Sequence, residues 1–100
     1  MATFINHIAR YQQYNGLFEN MRDILLTLPH TQDSIINRVR TLTNMRNVTI
    51  YITNGVHYNE YDPVHFNIRI ETPTNIVYNM LHVYVYYSYG LWRFAGIITE

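Results

Sequence analysis

The densest run of chemically capable side chains is His57-Tyr58-Asn59-Glu60-Tyr61-Asp62-Pro63-Val64-His65, two imidazoles and two carboxylates within nine residues. These are the residue types of a metal site or an acid–base pair. Their spacing matches no metal motif, and on an extended chain only residues two apart share a face. His57, Asn59 and Tyr61 would align while Glu60 and Asp62 point the other way, so neither a metal nor a cofactor is expected. Cysteine is absent, which excludes disulfide scaffolds, thiol catalysis and Cys-based zinc sites. His7 reads as the polar flank of a first helix and His30 as part of a turn after Pro29, both solvated.

A second set of capable residues follows from alternation. Between Val64 and Glu71 the chain alternates strictly, with Val64, Phe66, Ile68 and Ile70 on one side and His65, Asn67, Arg69 and Glu71 on the other. Period two is the signature of a half-buried strand. If Val83 and Val85 also point inward, His82, Tyr84 and Tyr86 join the outer side, with Tyr51 from an earlier strand. The expected interaction surface is therefore Tyr51, His65, Arg69, His82, Tyr84 and Tyr86. Tyr and Arg combine large contact area with hydrogen bonding and are enriched at binding hot spots. Tyr also suits strands, so some of the ten Tyr must be structural.

Those residues need elements to position them. In Thr3 to Tyr14, Phe4, Ile5, Ile8 and Tyr11 recur at helical spacing, Thr3 supplies a cap, and Asn15-Gly16 supplies a left-handed stop. Leu17, Phe18, Met21, Ile24, Leu25 and Leu28 predict a second helix that Pro29 ends. A third is expected with Thr31 as cap, Asp33 in its first turn, and Ile35, Ile36, Val39, Leu42 and Met45 on its buried side. From Val48 the period changes. Val48 to Thr53 alternates, Asn54-Gly55 predicts a hairpin turn, and Val56 to Tyr61 would return. Asp62-Pro63 interrupts, Thr72-Pro73-Thr74-Asn75 turns, Asn79 marks a bulge in the long run Ile76 to Tyr87, and Ser88 to Gly90 turns into Leu91 to Thr99. Trp92 reads as core packing.

The pattern predicts an α+β fold: three N-terminal amphipathic helices, near 3–15, 17–28 and 31–45, packed on one face of a four- to five-stranded antiparallel β-meander. Residues 1–100 form a single domain on this reading, helical over 1–46 and sheet over 47–100. An antiparallel sheet can leave its second face open. The arrangement resembles, in architecture alone and in no motif, the small microbial ribonucleases of the barnase type, which also place helices before an antiparallel sheet. That resemblance implies RNA cleavage on the open face by Glu, His and Arg, here drawn from Glu71, Arg69, His65, His82 and Arg93; the family's lysines have no counterpart.

Composition weighs between the readings. Hydrophobic residues are 48% and charged residues 14% of the chain, which excludes disorder. Seven basic residues balance seven acids, and the arginines are scattered, so general nucleic-acid binding is not expected. All seven basic residues are Arg, in a chain rich in Ile, Asn and Tyr. Arg keeps the charge but offers no amine for acetylation or ubiquitination. No apolar run is long enough to span a bilayer and no signal peptide is apparent, so a cytoplasmic protein without membrane association is expected. The expected function is non-enzymatic: an intracellular effector or inhibitor from a virus or mobile element, binding a partner protein, host or self, through the open face, with a homodimer expected. The ribonuclease-like enzyme and a homodimeric structural protein are the alternatives.

Overall fold

The computed structural model describes residues 1–8, 16–54 and 64–99. The strands are β1 (Thr3–His7), β2 (Thr49–Asn54), β3 (Val64–Thr72), β4 (Asn75–Ser88) and β5 (Leu91–Thr99); the helices α1 (Leu17–Leu26) and α2 (Ser34–Thr43) lie between β1 and β2. The five strands form one sheet in the order β1-β2-β3-β4-β5. β1 runs parallel to β2, and every other pairing is antiparallel.

The expected architecture is corrected on two counts. Two helices, not three, are found among the described residues, and the sheet is mixed rather than a pure antiparallel meander. The residues read as the start of a first helix are β1. Thr, Phe and Ile suit a strand as well as a helix, and five residues are too few for a period to decide. The edge of β2 decides instead, because Ile50 and Ile52 are fully buried and the strand carries backbone groups that need partners. Thr3 N donates to Val48 O (2.9 Å) and Ala2 N to Thr43 O (3.0 Å), fastening β1 to the start of β2 and the end of α2. Both helices belong to the long crossover that a parallel pair requires.

Each helix buries the centre of its apolar stripe but has different ends, and Met45, expected on the buried side of the last helix, lies past α2 and is 40% exposed. α1 buries Leu17, Met21 and Leu25, and Gly16, with φ 78°, stands at its N-cap instead of stopping an earlier helix. It finishes at Leu26, where the Thr27 hydroxyl donates to Asp23 O (2.8 Å). α2 buries Val39, Leu42 and Thr43 and is capped by Asp33, not Thr31. The Asp33 carboxylate accepts from Ile35 N (2.9 Å) and Ile36 N (3.2 Å), while Thr31 Oγ1 accepts from Asp33 N (2.9 Å).

These helical faces meet Ile50, Ile52, Phe66, Ile68, Ile70, Leu81, Val83 and Val85 in one buried apolar cluster. Phe66, Ile68 and Ile70 from β3 and Val83 and Val85 from β4 are all fully buried, as the alternation predicts. Trp92 and Phe94 pack against the rim of the cluster. Asn79 does mark an irregularity: Ile68 pairs with Leu81 but Ile70 with Tyr78, which leaves an extra residue in β4 opposite Arg69. The turns also fall where expected, Thr72 pairing with Asn75 and Ser88 with Leu91. The hairpin at Asn54-Gly55, the return over 56–61, the Asp62-Pro63 break and residues 9–15 lie outside the described residues.

Candidate interaction face

Period two on β3 sends His65, Asn67, Arg69 and Glu71 away from the helices. Strand register then fixes their neighbours. Tyr51 of β2 lies opposite Arg69 and Thr53 opposite Asn67. On the other flank, Tyr84 lies opposite His65 and His82 opposite Asn67. Pairing with β1 adds Ile5 beside Tyr51 and His7 beside Thr53. β5 contributes Ile98 opposite His82, Gly96 opposite Tyr84 and Arg93 opposite Tyr86.

The side chains on this face hold one another. The Arg69 guanidinium lies 4.2 Å from the centroid of the Tyr51 ring, a cation–π contact. Arg69 Nε is 3.1 Å from Glu71 Oε1. That N–H makes no hydrogen bond, so the contact is a charge attraction, worth less than ~1 kcal/mol at this exposure. His7 extends the row, its ring 5.3 Å from Tyr51. A second group forms on β3 and β4: the His65 ring is 5.3 Å from His82, edge to face, and 5.4 Å from Tyr84. Such aromatic pairs add to sheet stability and order the surface side chains.

The structure therefore brings Tyr51 together with Arg69, and His65 with His82 and Tyr84. Tyr86 stands apart, 42% exposed and opposite Arg93. Sequence reasoning missed His7, whose position depends on β1 pairing with a strand more than forty residues away. It also passed over Asn67 and Thr53 as site residues, although the alternation already places Asn67 between His65 and Arg69. The polar side of α2 is partly occupied by itself: Arg40 meets the His30 ring, and the Asn44 amide donates to Arg40 O (2.9 Å).

The residues named for RNA cleavage fall into two pairs, His65 with His82 and Arg69 with Glu71, with Arg93 on β5 apart from both. His65 and Glu71 are six positions apart on β3, ~20 Å at the rise of a strand. Arg93 faces Tyr86 on β5, while Glu71 is held by Arg69. Among the described residues no group of three or more His, Asp or Glu is placed to hold a metal ion, and no helix is long and apolar enough to cross a membrane; His57, Glu60 and Asp62 lie outside the described residues. Comparison of the chain with protein-family models, curated proteins and solved structures finds no match.

Proposed function

We propose that this domain works by binding another protein through the sheet face opposite its helices. The supporting observation is the mutual ordering of Tyr51 with Arg69 and of His65 with His82 and Tyr84. Side chains already held in place lose less freedom when a partner docks, and Tyr and Arg are the residues that anchor protein interfaces. The balanced charge suits protein contact better than phosphate contact. The lysine-free composition supports a setting among foreign modification enzymes, so the reading is of an effector or inhibitor in the cytoplasm of a host cell.

The test is capture from host-cell lysate with wild type, a Tyr84→Ala/Tyr86→Ala variant and an Arg38→Ala variant, preceded by light scattering of the purified chain. A partner retained by Arg38→Ala and lost by the tyrosine variant is the expected result. Loss with Arg38→Ala alone would move the site to the helical side. A stable homodimer that the tyrosine variant dissociates would assign the face to self-association.

A further inference from the structure

The β4–β5 hairpin ends in large side chains that the core does not take up. Tyr89 is 95% exposed and Leu91 55%, with Tyr86 exposed beside them. Tyr89 also holds a left-handed φ of 50°, at a position where Asn or Gly would be relaxed. Neither packing nor backbone preference accounts for a tyrosine there, and strain kept at an exposed residue calls for a role for its side chain.

Strand pairing sets the shape of this end. Ser88 pairs with Leu91 and Tyr86 with Arg93, whereas among the described residues the pairing of β4 with β3 stops at Val85 opposite Val64. Residues 86–91 thus run on past the described start of β3 as a two-stranded tip. Its side chains do not share one face. Tyr86 and Leu91 lie on the open face, Tyr89 stands at the apex, and Trp92, half-buried against the core, belongs to the other face. A flat protein site would meet one face of the hairpin; a surface that surrounds its end meets both faces and the apex.

Charge narrows the choice of surface. No acidic residue occurs from Thr72 to Thr99, and Arg93 is the one Arg in that stretch, exposed and across the ladder from Tyr86. Tyr, Trp and Leu beside a single Arg match the chemistry of a bilayer interface, with rings at headgroup level and a guanidinium on lipid phosphate. We propose that the β4–β5 tip seats in the headgroup layer of a membrane carrying anionic lipid, Tyr89 and Leu91 entering it and Arg93 meeting the phosphates. Backbone chemistry limits the depth. The Ser88–Leu91 pair closes the turn, but the Tyr89 and Gly90 peptide groups lie outside the ladder and must stay where water reaches them. The contact is therefore peripheral. It goes beyond the partner-binding reading, whose ordered groups, Tyr51 with Arg69 and His65 with His82 and Tyr84, are not part of the tip.

The test is co-sedimentation of the intact chain with vesicles of phosphatidylcholine alone and of phosphatidylcholine mixed with phosphatidylserine. Binding to the mixed vesicles that weakens as salt rises is the expected result. Tyr89→Asn, which suits the turn, should weaken it roughly tenfold with unchanged circular dichroism, as one interfacial ring is lost. Arg93→Gln should cut the preference for the mixed vesicles about fivefold, the ~1 kcal/mol of one Arg at an anionic surface. The chain has a single Trp, so a Trp92→Phe/Tyr89→Trp variant moves it to the apex, where its emission should shift to the blue and be quenched by brominated acyl chains. No sedimentation with either vesicle, binding undiminished in Tyr89→Asn, or an unquenched apex Trp would overturn the proposal. Failure with vesicles together with loss of a captured protein in Tyr89→Asn would make the tip a protein anchor instead.

Discussion

Tyr89 and Gly90 carry the β4–β5 reversal with φ values of 50° and 79°. Left-handed backbone at both central positions is the two-residue hairpin turn that matches strand twist. Glycine adopts it freely, whereas a tyrosine there is strained. Tyr89 is also 95% exposed, so its ring gains little from packing. Tyr89→Asn is expected to raise stability by ~0.5–1 kcal/mol, since Asn tolerates this conformation, read as a higher urea midpoint. Gly90→Ala should lower it by ~1 kcal/mol although a Cβ there would meet nothing within 4 Å, because the cost is conformational. The opposite sign is expected at Gly96, which lies in β5 with ordinary φ and open space around a Cβ: Gly96→Thr should stabilise by up to ~1 kcal/mol. Phe66, fully buried near the start of β3, should cost ~3–5 kcal/mol as Phe66→Ala.

Elements differ in how far they could be read in advance. β3 and β4 were legible because alternation is local, and the residues it turns inward, Phe66, Ile68, Ile70, Val83 and Val85, are all buried. α1 and α2 were legible from the spacing of Met21 and Leu25 and of Val39 and Leu42, but α2 is shorter and starts at a different cap. Thr31 and Asp33 are both capping residues, and the choice between them depends on tertiary placement of the first turn. Asp33→Ala should cost ~1 kcal/mol, more than Thr31→Ala, whose single bond to Asp33 N is one step further out. β1 was not legible, since Phe4 and Ile5 fit a helix locally and only the vacant edge of β2 makes them a strand. With it went His7, and with His7 the ring that extends the row beside Tyr51. Strand-type Cα shifts over 3–7 and NMR cross-peaks between Ile5 and Tyr51 are expected; helical shifts there would contradict the parallel pairing.

On the scale of the whole molecule, the chain packs its core on one side of the sheet and sets Tyr51, His65, Arg69, His82 and Tyr84 on the other, with Ile5 and Ile98 beside them. Balanced charge and absent lysine act at this scale too, as they bear on partners and setting rather than on fold. The polar, aromatic side is the proposed working surface. It is tested most directly by hydroxyl-radical footprinting of the chain, free and in complex with the partner it captures. Tyr86, 42% exposed on the open face, and Met45, 40% exposed just past the end of α2, are reporters of similar exposure on different elements. Tyr86 is expected to lose reactivity in the complex while Met45 keeps it. Protection of Met45 with Tyr86 unchanged would contradict it and place the working surface on the helices.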